Sequence, residues 1–249
     1  MKRLVLLLTP THIAALCWSN QGARPLAHFN HDAAGLADLA QFALQQQQRW
    51  FYILTDLAEE DFQQEMIPHL ARKDQQRLIA RKLEQRYRGA PYRQGQVHRQ
   101  RGAQDQLQLS ALLNEELINA LISTLLAAQC AIVGVYSVAL LTQNLLQKLS
   151  LDWPYLLIMS RSTPETLRQS YFADGALQFS RLGRLDSTQG LLAQAQEIIQ
   201  EVRARAAIFD DAAGDGRAVK SCRYGPYLTA TLLSRYSKWP RIWRPKTTN

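Results

Sequence analysis

The sequence predicts an α/β fold built on mixed sheets with flanking helices, and three observations carry that prediction. Short apolar runs of strand length open the chain, Leu4 to Leu8 and His12 to Trp18, joined through Thr9-Pro10-Thr11. Amphipathic stretches with apolar residues three and four apart stand between further apolar runs. The order is a cluster of strands, a helix, a strand, then a helix leading into more strands, unlike the strict alternation of a doubly wound parallel sheet. The pattern points to a mixed sheet that begins with a meander and is followed by inserted or duplicated α/β material.

Taken in order, Asn20-Gln21-Gly22 ends the second run at a turn, and Pro25 to Phe29 adds a third strand. Gly35 to Gln48 places Leu36, Leu39, Phe42 and Leu44 on one helical stripe. Trp50 to Leu54 is a compact apolar strand, left through Thr55-Asp56-Leu57. The clearest helix lies within Pro68 to Arg88, where Leu78, Ile79, Leu83 and Tyr87 share a face and the rest is almost wholly Lys, Arg, Gln and Glu. Gly89 to Gln106 is polar and punctuated by Gly89, Pro91, Gly95 and Gly102, which predicts a mobile linker or wide loop. Gln106 to Leu112 is a strand, and Asn114-Glu115-Glu116 caps a helix running to Gln129. Ala131 to Val135 is a strand and Ser137 to Leu149 a helix. Tyr155 to Ser160, Glu165 to Phe172 and Gln178 to Leu182 are successive strands, the last two joined by an Asp174-Gly175 hairpin turn. Gly190 to Ala207 reads as a long amphipathic helix, and beyond Asp210 the periodicity fades.

Composition narrows the classes. A 249-residue chain that is 47% hydrophobic can bury a sizeable core. The 29 basic and 21 acidic residues give +8, but Gly216 to Asn249 holds eight Lys or Arg and no acid, so the preceding 215 residues balance at 21 against 21. The basicity is thus a property of the tail, and the body carries no overall nucleic-acid footprint. No apolar run is long enough for a spanning helix. The Met-Lys-Arg start before Leu4 to Leu8 mimics a short signal peptide, but Thr9-Pro10-Thr11-His12 interrupts it and no small-residue cleavage site follows. Cys17, Cys130 and Cys222 have no metal spacing and leave one unpaired, which fits a reducing cytoplasm.

Residues with possible chemistry mostly have plainer explanations. Glu59-Glu60-Asp61 with Glu65 resembles a divalent-metal cluster, but adjacent acids at the start of a segment are more often a solvated turn. His28, His31 and Asp32 form the one local His-acid group, without a metal-ligand spacing. No Gly-x-Ser-x-Gly is present, and Cys17 and Cys130 sit in apolar settings that suit core packing. The densest basic stretch of the body runs from Arg72 to Arg101, with Tyr87 and Tyr92 among its cations. Asp74, Glu84 and Asp105 dilute it, and a solvated helix explains it better than a phosphate grip. In the tail, Trp239 and Trp243 among Lys238, Arg241 and Arg244 suggest lipid contact, while Pro240 and Pro245 oppose a continuous helix there.

Three segments in this order resemble the actin-like assembly proteins of type IV pilus and type II secretion machines, the group of PilM and the cytoplasmic domain of GspL. The first is Ile53-Leu54-Thr55-Asp56-Leu57 through Glu65-Met66-Ile67-Pro68 to Leu83-Glu84-Gln85-Arg86-Tyr87, similar to the family's core strand, extended segment and Glu-rich helix. The second is Leu107 to Leu112, Glu115-Glu116, then Ile132-Val133-Gly134-Val135-Tyr136 and Ala139-Leu140-Leu141. The third is Tyr155-Leu156-Leu157-Ile158, Leu167-Arg168-Gln169-Ser170-Tyr171-Phe172, Asp174-Gly175 and Phe179-Ser180-Arg181, similar to the hairpin opening the second actin-like subdomain. The likeness spans residues 3 to 207.

The resemblance implies an actin-like, ribonuclease H-like fold with an incomplete second subdomain. Residues 1–149 would form the first subdomain, with an inserted helical and α/β segment at about 68–135; 150–209 would form part of the second; 210–249 would be a basic, disordered tail. The shift in composition after Phe209 suggests truncation or replacement of the C-terminus, such as a frame change between Ala212 and Lys220. Family members that hold ATP carry an acidic-Gly phosphate loop after each subdomain's first strand. Here those positions read Leu8-Thr9-Pro10-Thr11 and Ser160-Arg161-Ser162-Thr163, with neither the carboxylate for magnesium nor the glycine for close backbone approach. Thr9, Thr11, Ser162 and Thr163 are what remains of a degenerate nucleotide site, and no cofactor is expected.

The function so implied is a non-catalytic scaffold, cytoplasmic or peripheral to the inner membrane, that docks inner-membrane proteins of a pilus or secretion assembly. The docking surfaces expected are the charged stretch from Glu59 to Arg88, with Glu59, Glu60, Arg77, Arg81 and Arg88, and the hairpin from Gln169 to Arg181, with Arg168 beside it and Arg181 at its end. Two alternatives stand beside it: an ATP-binding ATPase of the same superfold, and a basic module for nucleic acid or anionic membrane. Peripheral membrane contact is compatible with the scaffold, and no specific nucleic acid is expected.

Overall fold

The computed structural model describes residues 3–19, 22–99, 102–149 and 155–185, together with the helical positions 193, 196 and 200. Leu4 to Leu8 form the middle of the main sheet because every side chain in this run finds cover. Their exposures range from 0% to 8%, and each such burial stabilises by roughly 1.5–3 kcal/mol relative to exposure. This strand, β1 (Arg3–Leu8), pairs antiparallel with β2 (Ile13–Ser19), which pairs antiparallel with β3 (Gly22–Phe29). On its other side β1 pairs parallel with β4 (Trp50–Thr55), register Leu6↔Ile53.

The sequence between β3 and β4 forms α1 (Ala33–Leu44). Asp32 starts it, its carboxylate accepting the Gly35 amide at 2.7 Å, so this member of the His28–His31–Asp32 group serves as a helix cap. After β4 the chain leaves the sheet and makes a second, antiparallel one. It consists of β5 (Glu60–Pro68), β6 (Arg93–His98) and β7 (Gln104–Leu112) in the order β5-β7-β6, with α2 (Arg72–Arg86) between β5 and β6. The chain then returns through α3 (Glu115–Ala127), which packs beside α1, to β8 (Ala131–Ser137), parallel to β4. The five-stranded order is β3-β2-β1-β4-β8.

Next, α4 (Val138–Lys148) touches both β8 and a second meander. That meander is β9 (Tyr155–Ser160), β10 (Thr166–Ala173) and β11 (Ala176–Arg184), in the order β11-β10-β9 and antiparallel throughout. Its hairpin turns at Asp174 and Gly175, with φ of 48° and 74°, the left-handed pair that a two-residue connection requires.

The inserted sheet corrects two expectations. Gly89 to Gln106 is no linker, since it contains β6 and the start of β7, and the acids from Glu60 onward belong to a strand, β5. One buried face of this sheet is polar, so its strands lack the apolar alternation that marks a strand in sequence. On one face Ile67, Leu107, Leu109 and Ala111 form a small core with Tyr87 and Ala90, against Leu78, Ile79, Leu83 and Val97. Gly95 lets α2 approach this face, for a Cβ there would lie 2.5 Å from Ile79 Cγ2. Residues of alternate parity, Glu60, Gln64, Gln106, Gln108 and His98, face the rest of the molecule. The separate sheet spans Glu60 to Leu112, and β8, expected inside the insertion, is a strand of the main sheet. The helix expected over Gly190 to Ala207 lies largely outside the described residues, and the expected tail lies wholly outside them.

Candidate functional site: the crevice at the strand ends

The carboxyl ends of β1, β4 and β8 lie side by side, where the strand order runs antiparallel to one side of β1 and parallel to the other. Ligands of open α/β sheets bind at such a place. The groups gathered there are Thr9 beyond β1, Thr55 and Asp56 at the end of β4, Ser137 at the end of β8 and Glu60 opening β5. Thr9 is 0% exposed; Thr55, Asp56 and Ser137 are each 1% exposed.

The Arg168 guanidinium, 1% exposed and projecting from β10, fills this crevice. Its Nε donates to Asp56 Oδ1, its Nη2 to the Leu57 carbonyl at 2.7 Å, and its Nη1 to Ser180 Oγ at 2.9 Å. Glu60 Oε2 stands 3.6 Å from Nη1 and accepts no hydrogen bond of normal length, while Thr55 Oγ1 donates to Glu60 Oε1 at 3.3 Å. Burial drives the Glu60 carboxyl up to about 7; Arg168, then the Ser137 hydroxyl, pull it back, and Asp56 pushes the other way. The cluster therefore carries two carboxyls against one cation in a place closed to solvent.

The two turns that matched the family's phosphate loops are closed on themselves. Thr9 Oγ1 donates to the His12 carbonyl at 2.8 Å and accepts the His12 amide at 3.1 Å, and the Thr9 amide also reaches that carbonyl at 3.0 Å. Thr11 is exposed, with its hydroxyl 3.0 Å from His12 Nδ1. In the second turn Thr163 Oγ1 and Thr166 Oγ1, both buried, lie 2.8 Å apart, and Arg161 donates to the Pro164 carbonyl. Ser162 is half-buried. These hydroxyls serve the turns themselves, and neither turn has a glycine.

Of the expected docking residues, Glu59, Arg77, Arg81, Arg88 and Arg181 are exposed. Glu60 and Arg168 are a correction: their side chains are 3% and 1% exposed and face one another in the crevice, so neither is presented to a partner. The acids near Glu59 are likewise spread by the strand: Asp61 accepts the Tyr87 hydroxyl at 2.7 Å, and Glu65 pairs with Lys82. His12 and His28 have ring centroids 5.2 Å apart, and burial, with His28 beside it, holds the His12 imidazole below its ordinary value. Among the described residues no three His, Cys, Asp or Glu side chains are grouped to hold a metal ion. Among them, too, no helix is long and apolar enough to cross a membrane.

A polar seam beside the crevice was not foreseen. The Leu177 amide donates to Gln143 Oε1 at 3.1 Å, and its carbonyl accepts from Gln108 Nε2 at 3.1 Å and from Gln64 Nε2. Gln143 Nε2 also stands 3.2 Å from His98 Nε2. Leu177 pairs with Phe172 beside a register shift that leaves Gln178, the next residue of β11, without an opposite partner. The signals available in the sequence were Asp56 directly after an apolar strand, and a lone Arg168 inside a strand-like run.

No protein-family model matches the sequence, and no curated protein matches it. Solved structures do match in shape. A chain of a PilM–PilN type IV pilus biogenesis complex aligns with a TM-score of 0.56 at 15% identity, covering 84% of this chain and 77% of that one. The cytoplasmic domain of EpsL, an inner membrane component of the type II secretion system of Vibrio cholerae, aligns at 0.48 and 14% identity, covering 77% and 78%. A Bacteroides thetaiotaomicron protein with an actin-like ATPase fold and unknown function aligns at 0.38 and 10% identity, covering 81% and 77%. The chain has the actin-like fold that its sequence resemblance implied, here as a five-stranded mixed sheet and a three-stranded antiparallel meander.

Proposed function

We propose that the chain is a non-catalytic actin-like scaffold that docks proteins of a type IV pilus or type II secretion-like assembly at the cytoplasmic face of the inner membrane. The observation that carries the non-catalytic part is Arg168, whose guanidinium fills the strand-end crevice and pairs with Asp56 from within. A nucleotide–magnesium complex would have to displace that cation and would find no glycine turn to receive its phosphates. The docking part draws on the shape shared with a chain of the PilM–PilN complex.

The surface proposed for docking is the outer side of α2, with Arg77 and Arg81 exposed and Arg88 just beyond its end, joined by Glu59, and with Arg181 on the second meander as a separate contact. Asp74 and Glu84, the acids of α2, are already engaged by Arg77 at 3.6 Å and Arg93 at 2.6 Å, so Arg81 and Arg88, with Arg72 and Lys73, are exposed cations open to a partner. The test is co-expression with a PilN-type protein from the same cell, read by size-exclusion chromatography. Co-elution with the wild type, lost in Arg81→Glu/Arg88→Glu at unchanged thermal stability, supports the reading. Separate elution of a folded wild-type chain removes the pilus assignment.

A further inference from the structure

Between α1 and α3 runs an apolar groove open to solvent. Leu36, Ala37, Ala40 and Leu44 line it from α1, and Thr124 and Ala127 from α3, with Leu44 48% exposed. The polar atoms beside it are engaged elsewhere. Thr124 Oγ1 donates to the Ala120 carbonyl at 2.9 Å, and the Ala128 carbonyl accepts from Gln47 Nε2 at 2.8 Å. The same two helices carry Asp38, Glu115 and Glu116 and no Lys or Arg. Among the described residues none of these acids has an ion-pair partner. Arg49, the first cation after α1, turns instead to Cys17 Sγ at 3.5 Å. We propose that this groove is the docking site of the chain's own basic C-terminal segment, Gly216 to Asn249.

Charge and composition select this occupant. An apolar groove between helices whose only charges are acidic fits a segment bringing both cations and large apolar side chains. Gly216 to Asn249 is such a segment: it holds eight Lys or Arg and no acid, interleaved with Leu228, Leu232, Tyr236, Trp239 and Trp243. The other basic stretch, α2, already packs Leu78, Ile79 and Leu83 against the inserted sheet. A second copy presenting the same face would set acids against acids, and an anionic membrane would meet the same repulsion. Reach does not limit the contact. From Gln200, the last described position, 28 residues lead to Leu228. Extended, they span about 90 Å, against about 50 Å across a compact chain of this length. Sharing one chain also makes the contact intramolecular and raises the segment's effective concentration at the groove. The leucine and aromatic side chains cover the apolar walls, and the cations offset the acids of α1 and α3.

The full chain is treated with a carbodiimide, which joins a lysine amine to a carboxylate in contact with it, and the monomer and dimer fractions are analysed by peptide mass spectrometry. The products expected in the monomer join Lys220, Lys238 or Lys246 to Asp38, Glu115 or Glu116. Two variants are treated alongside. Ala37→Gln/Ala127→Gln fills the groove with amides at two exposed helix positions, and Trp239→Ser/Trp243→Ser leaves every described residue in place. Each is expected to lower the yield of those products by about tenfold or more at unchanged Tm. If Ala37→Gln/Ala127→Gln does not fold, the tryptophan variant decides alone. Tail lysines coupled chiefly to carboxylates elsewhere or to none, products confined to the dimer fraction, or a yield unchanged in either folded variant would each overturn the proposal. The groove lies between α1 and α3, apart from α2, so this outcome is independent of co-elution with a PilN-type protein.

Discussion

Glu60 Oε2 lies 3.6 Å from Arg168 Nη1, with both side chains closed to solvent and 108 positions apart in sequence. One opens the inserted sheet and the other sits within the second meander, so the contact joins parts of the fold with separate hydrogen-bond ladders. Their pairing also explains why neither serves as a surface contact.

Replacing Arg168 with methionine should be severe. It leaves the Asp56 and Glu60 carboxyls buried without their cation, and breaking a buried pair in this way costs about 3–5 kcal/mol. Chemical denaturation of the wild type and Arg168→Met, compared at one pH, measures it. A loss below about 1 kcal/mol would place the guanidinium in solvent.

Glu60 should make stability depend on pH in an unusual direction. Its folded value of about 7 lies above its ordinary 4.5, so between these the folded chain holds a proton that the unfolded chain has released. Its contribution is complete below about 4.5 and is lost as pH rises to about 7, beyond which it is flat. His12, His31 and His98, held low chiefly by burial, act oppositely as pH falls through their range. Comparison with Glu60→Gln isolates the glutamate: the variant should gain Tm over the wild type at pH 8, by roughly 2–6 °C, and lose that advantage at pH 5. An advantage independent of pH would contradict the assignment.

Gln143→Leu should cost about 1–3 kcal/mol, because it keeps the bulk of the side chain but leaves the buried Leu177 amide without its acceptor. Hydrogen exchange at Leu177 should accelerate more than at strand amides of the main sheet.

Gly175→Ala should cost about 1 kcal/mol from backbone strain alone. The glycine has φ of +74° and nothing within 4 Å of an added Cβ, so no steric clash contributes. Gly175→Asn, which tolerates the left-handed region, should recover part of the loss in the same denaturation assay.

The main sheet and the second meander were legible in the sequence because their strands are largely apolar and the helices beside them amphipathic. Leu4 to Leu8, Trp50 to Leu54 and Tyr155 to Ser160 announce themselves by composition, and Asp174-Gly175 announces the hairpin. The inserted sheet was hidden for a physical reason. Gln64, Gln106, Gln108 and His98 are strand residues whose partners are other side chains and the Leu177 backbone, so their polarity mimics a loop. The lack of a glycine and of an acid at Thr9-Pro10-Thr11 could be read directly. The Arg168 contact could not, since nothing local says that a charged residue in β10 meets carboxyls at the ends of β4 and β5.

Isothermal titration of the full chain with ATP and magnesium, after cooperative unfolding has been verified, tests the central claim most directly. A crevice filled by Arg168 predicts no saturable heat at micromolar to millimolar nucleotide. Saturable, magnesium-dependent binding in the micromolar range would contradict it and restore an ATP-binding role to the fold.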